Sequence, residues 1–227
     1  MNETLMEIIA LVPALVIAIV FHEVAHGYVA KLLGDPTASE RGRLTLNPIR
    51  HVDPVGTLFV PGALALLGGP VFGWAKPVPV NAARLRNPRY GMMAVAAAGP
   101  GSNLLLAAIG ALLLGLLARG LVAPPEGIVY WLVASLNYFM MINVFLALFN
   151  LLPIPPFDGS HIVEGLLPRS AAAVWAKLRQ VGMFLFILLV AITWAFPDSG
   201  VIDTLVTPQV NWMLNHYYAI AEWVAGG

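Results

Sequence analysis

The sequence predicts an all-α integral membrane protein. About four transmembrane helices surround a three-helix core, joined by a re-entrant segment with short β-strands and followed by a C-terminal amphipathic helix. Three observations predict it. Of 227 residues, 59% are hydrophobic and 11% charged, less than half the roughly 25% charged residues of a soluble domain. Several apolar runs reach about the 20 residues needed to cross a bilayer. Eleven of the 12 basic residues fall in three blocks, at 31–50, 76–89 and 169–179, which the positive-inside rule places together on the cytoplasmic side.

The elements follow in order. The first apolar run, 5–21, lacks the basic start and small-residue cleavage site of a signal peptide, so it is expected to remain as a span. It continues as helix through 22–33, where Gly34-Asp35-Pro36 stops it. Residues 43–47 alternate Leu44 and Leu46 with polar neighbours, a short strand pattern. The segment 72–80 carries Pro77 and Pro79, which limits it to an edge strand or an extended stretch. Between them, 55–73 is apolar but broken by Pro61, Gly62, Gly68, Gly69 and Pro70. The first two basic blocks share a side if this stretch dips into the membrane and returns, which is tolerated where protein or a wet cavity covers the backbone. Later runs at 92–118, 129–152 and 181–196 complete the four spans. The tail, 205–224, mixes Asn211, Asn215, His216 and Glu222 with aromatics and reads as an interfacial helix. No repeat or linker divides the chain, so 1–227 is expected to be one unit, with a core at about 5–165 and C-terminal helices at about 170–227.

Composition restricts the chemistry. With no cysteine, any metal must be held by histidine and carboxylate. The formal net charge is zero, which gives no support for nucleic-acid binding.

His22-Glu23-Val24-Ala25-His26 lies inside the first helix. Positions i and i+4 share a helix face, so both imidazoles can reach one ion. Glu23 stands about 100° round from His22, close enough to accept a proton from water at the metal without ligating it. Charged residues in a membrane helix are costly and mark function. The 14 apolar residues 8–21 span about 21 Å of the ~30 Å hydrocarbon core. With the N-terminus outside, the motif lies in the cytoplasmic third of the membrane. Zinc needs a third protein ligand and an open position for water. Asp158 directly follows the third full span, after Pro153, Pro155 and Pro156, at the same cytoplasmic end. His51 with Asp53, and His161, are the rival ligands, although His51 lies in a Pro-rich loop and reads first as a solvated loop histidine. Asn103, in Gly99-Pro100-Gly101-Ser102-Asn103, and Asn150 are candidate donors to a substrate carbonyl or oxyanion.

These motifs, with Gly42-Arg-Leu-Thr-Leu-Asn-Pro and Gly73-Trp-Ala-Lys-Pro-Val-Pro-Val-Asn, make the chain resemble the site-2 protease family of intramembrane zinc metalloproteases, in its compact branch without a PDZ domain. The resemblance covers about residues 20–165. It implies one zinc ion on His22, His26 and Asp158, Glu23 as general base, and hydrolysis of peptide bonds in or near transmembrane segments of other membrane proteins. A multi-pass protein of the cell membrane, with its active site nearer the cytoplasmic face, is the corresponding expectation. Two rivals stand beside it: a CAAX-processing type of metallopeptidase with Glu164 as third ligand, and a non-catalytic zinc-binding membrane protein, against which Glu23 argues.

Overall fold

The computed structural model describes residues 3–66, 73–121, 123–196, 200, 204 and 206–227. The first helix, α1 (Glu3–Leu32), buries every fourth residue along one row: Ala10, Ala14, Ala18, His22 and Ala30 are all under 9% exposed. Small residues in such a row let helices approach closely in a membrane. The row runs through the H-E-x-x-H motif, so the packing face of α1 is also the face that carries the imidazoles. α1 ends where Gly34 takes a positive φ of 108°, a conformation glycine adopts without penalty.

A short helix, α2 (Thr37–Glu40), leads into the 43–47 segment. After a 3₁₀ turn at Pro48–His51, a widened π-type turn at Pro54–Phe59 runs into α3 (Val60–Leu66). α3 is about 10 Å long and far too short to cross. It lies within the stretch where a re-entrant segment was expected. Gly68, Gly69 and Pro70, on which the returning limb was expected, lie outside the described residues.

No β-strand occurs among the described residues, which corrects the strand expected at 43–47 and leaves the extended stretch as the reading met at 73–80. In 43–47 the backbone donors are taken up locally: Arg43 N–H donates to Ala38 and Asn47 N–H to the Thr45 hydroxyl. The segment 73–80 is extended, but Pro77 and Pro79 have no N–H to give. Three of its other donors go to three different places: Trp74 to the Gly56 carbonyl, Lys76 to that of His51, and Val78 to the Glu23 carboxylate. It is stitched to separate elements and never forms a ladder.

Helix α4 (Pro88–Arg119) is the central element, packed by α1, by α5 (Gly127–Asn150), by α6 (Asp158–Leu166) and by the last helix. Asn87 caps its start by accepting from the Tyr90 N–H, with Pro88 in the first turn, the usual chemistry of a helix N-terminus. α4 also buries an every-fourth row, Gly91, Val95, Gly99, Asn103, Ala107, Ala111 and Gly115. Two such rows interdigitate as ridges and grooves. Large apolar side chains such as Leu105, Leu116, Ile128 and Phe145 point outward, as expected of surfaces that meet hydrocarbon.

Among the described residues three helices are long and apolar enough to cross a membrane: Ile9–Leu32, Pro88–Arg119 and Gly127–Asn150. α7 (Arg169–Gln180) and α8 (Gly182–Ala195) follow α6. α8, where a fourth span was expected, has 14 described residues. It is thus about 21 Å long, short of a ~30 Å core. The tail forms α9 (Thr207–Ala225), whose Val210, Leu214, Tyr217 and Ala221 join the core cluster of Ala107, Ala111, Leu114, Met140 and Val144. The Tyr217 hydroxyl donates to the Leu104 carbonyl at 2.8 Å. A Cβ at Gly115 would meet Ala221 and Val224. Contacts advance in the same direction along both helices, so α9 runs lengthwise beside α4. Its buried stripe is matched to α4, with the polar Asn211, Asn215 and Glu222 off that stripe.

Candidate metal centre

α1 brings His22 and His26 to one side with ring centroids 4.6 Å apart and planes nearly perpendicular. The turn 151–157 delivers Asp158 to the first turn of α6, where helix N-termini favour a carboxylate. A side chain at Gly159 would strike the Leu151 and Leu152 carbonyls, so glycine is required for that turn to close. Arg89, in the first turn of α4, donates to the Gly165 and Leu167 carbonyls and anchors the far end of α6. Asp158 Oδ2 therefore lies 3.1 Å from His22 Nε2 and 3.3 Å from His26 Nε2. Among the described residues these three side chains form the one group able to hold a metal ion.

The far side of each imidazole is fixed. His26 Nδ1 is 2.7 Å from the Val95 carbonyl, which can only accept, so Nδ1 carries the proton. His22 Nδ1 is 2.6 Å from Asn103 Oδ1. The Asn103 amide is oriented by donating through Nδ2 to the Ala18 carbonyl and to Asn143 Oδ1. In its neutral form each ring then turns an Nε2 lone pair towards Asp158 Oδ2, a buried oxygen with no other protein partner. Three acceptors facing one point repel one another unless a cation lies between them. A tetrahedral zinc ion with ligands at about 2.0–2.1 Å sets them about 3.3–3.4 Å apart. The donor set and its spacing fit zinc. Gly99 makes room for it: a Cβ there would lie 2.5 Å from His26 Nε2 and 2.6 Å from His22 Cε1.

Glu23 accepts from Val78 N–H at 2.7 Å. Gly27, one turn further on, touches Leu44 and Val78, so the extended segment 73–80 lies across the Glu23 side of α1.

The remaining candidates fall elsewhere. Asn103 is wholly buried, with its amide committed to His22, Ala18 and Asn143. The side chain stands behind the His22 imidazole, on its Nδ1 side. Asn150 closes α5 and donates to Leu146 O. His51 is 3% exposed and bonds to Thr45 O, where a solvated loop histidine was expected. His161 and Glu164 line a cavity of about 370 Å³ with Arg89 and Met92 between α4 and α6, outside the three-ligand group. Sequence reasoning missed the Val95 carbonyl, Asn143 and the Val78 N–H. Asn143 had a signal, a polar residue inside an apolar helix, whereas backbone partners leave none.

Three apolar helices that bring together a His-His-Asp triplet, with a glutamate next to its first histidine, fit the class of membrane metallohydrolases. The comparisons with known proteins agree. Peptidase family M50 matches residues 122–192. The chain is 41% identical over 179 residues to the Bacillus subtilis protein named "Putative zinc metalloprotease YwhC", covering 79% of this chain and 78% of that protein. It is 33% identical over 199 residues to "Putative zinc metalloprotease Rip2" of Mycolicibacterium smegmatis, covering 82% and 72%. The Mycobacterium tuberculosis protein of the same name is 31% identical over 196 residues. No solved structure gives a significant match. The chain belongs to peptidase family M50, the site-2 protease family, and is a multi-pass membrane protein.

Proposed function

We propose that the chain is an intramembrane zinc metalloprotease, holding one zinc ion on His22, His26 and Asp158 and hydrolysing peptide bonds in or near transmembrane segments of membrane proteins. The observation that supports it most is the convergence of two imidazole lone pairs and a buried carboxylate oxygen beside an unligating glutamate.

A zinc ion at such a site supplies Lewis acidity and makes water acidic enough to ionise near neutral pH. Glu23 takes the water's proton and delivers it to the leaving nitrogen. The Val78 N–H holds one Glu23 oxygen, which sets the carboxylate's orientation. Asn150, at the end of α5, is the proposed donor to the substrate carbonyl. The chain acts as one unit in the cell membrane, with the site nearer the cytoplasmic face. Two helices support that depth. The apolar residues 8–21 of α1 place His22 about 21 Å from the outer side, and the stretch of α4 from Asn103 to Arg119 gives about 24 Å.

The test is cleavage of a reconstituted transmembrane substrate by wild type and by Glu23→Gln with matched zinc content. Loss of a general base predicts a rate lower by about 10²–10⁴-fold. Equal rates contradict the assignment.

A further inference from the structure

We infer that Asn143, on the third core helix, is a positioning residue that helps fix which nitrogen of His22 faces the metal. This rests on His22 being a ligand, as proposed above. The chain of donors runs in one direction. Asn143 Nδ2 donates to the Phe139 carbonyl at 2.8 Å, an atom that can only accept, so Asn143 must turn its Oδ1 towards Asn103. Asn103 answers with Nδ2 at 2.8 Å, and the same amide nitrogen also donates to Ala18 O at 3.1 Å. Its Oδ1 is thereby left to receive the Nδ1 proton of His22, which leaves Nε2 unprotonated towards Asp158.

Asn103 and Asn143 are both 0% exposed. No water is at hand to replace a lost partner, and a buried N–H left unpaired is costly. The network crosses all three core helices, with Ala18 and His22 on α1, Asn103 on α4, and Asn143 and Phe139 on α5. Polar partners behind a metal-bound histidine set its tautomer and ring angle, and their loss costs about 10–100-fold in metal affinity or activity. Without Asn143, one Asn103 N–H has no acceptor, and only the Ala18 carbonyl opposes rotation of the amide. A rotated amide presents N–H to His22 Nδ1, and the ring proton moves to Nε2, where it blocks coordination.

The test is a double-mutant cycle on zinc affinity, measured by chelator competition on the full chain in detergent. Asn143→Leu keeps the branched shape but removes the acceptor, and it is expected to weaken zinc binding by about tenfold. In an Asn103→Ala background the same substitution is expected to add nothing, because Asn143 acts through Asn103. Asn143→Asp keeps an acceptor towards Asn103 and is expected to bind as wild type does. Nitrogen-15 spectra of the metal-free protein are expected to show His22 protonated at Nδ1 in wild type and as a tautomer mixture in Asn143→Leu. Unchanged affinity in Asn143→Leu, or an equal loss in both backgrounds, overturns the inference. Should His22→Ala bind zinc as tightly as wild type, the ligand assignment itself fails, independently of Asn143.

Discussion

Gly99 stands where α4 passes closest to the two imidazoles, and it shows how tightly single atoms constrain the site. Gly99→Ala places a methyl group against His22 and His26. Overpacking of this kind costs about 1–3 kcal/mol, and here part of that cost falls on the ligand geometry. The variant is expected to bind zinc more weakly than wild type, as read by chelator competition; unchanged affinity would show that the rings have room to move. In the sequence Gly99 reads as a kink before Pro100, because no pattern along one chain reveals which side chains of another helix will press on it. His22, Glu23 and His26 were legible because their spacing is a property of one helix. Asp158 was legible because the third apolar run fixed its depth and the prolines freed its backbone. Asn103 was visible as a polar residue in an apolar run, but its role depends on which helix it faces. His51 was misread for the same reason: its burial comes from segments distant in sequence.

At the scale of elements, the every-fourth rows of α1 and α4 bury the ligands and close the core with the same residues. The helices were legible to within a few residues, since apolar length and stop signals are local. The strands were not, because alternation in 43–47 describes a strand only when a partner ladder exists, and its donors are taken up by local turns. What holds this loop region is Asp35. Burial pushes its carboxyl up, but hydrogen bonds from the Thr37 hydroxyl and from the Asn81 and Thr37 N–H groups, with Arg84 nearby, outweigh that and hold it below the usual range. The folded value is thus lower than the unfolded one. The stabilisation is fully present above the unfolded value near pH 4 and is lost as pH falls through the folded value. Thermal melts of wild type are expected to drop across that window, and Asp35→Asn is expected to melt lower at neutral pH with a shallower acid dependence. A variant whose acid dependence matches wild type would contradict this.

For the whole molecule, the account makes a topological commitment. α1 enters from outside, α4 returns, and α5 enters again, which sets the three basic blocks on one side with three crossings. The absence of cysteine makes single introduced cysteines clean reporters. Ser170→Cys is expected to react with an impermeant thiol reagent only from the cytoplasmic side, and Pro125→Cys only from outside; reactivity from one common side would refute the arrangement. The lengthwise seat of α9 could not be read from its sequence, since Asn211, Asn215 and His216 give it an interfacial pattern whichever way it lies. The central claim is that two imidazoles and one distant carboxylate hold a single ion. The most direct test is the zinc-to-protein ratio of wild type, Asp158→Ala and Glu164→Ala after dialysis against a weak chelator. The account predicts one zinc per chain for wild type and for Glu164→Ala, and loss of the metal from Asp158→Ala. Zinc retained by Asp158→Ala and lost from Glu164→Ala would contradict it.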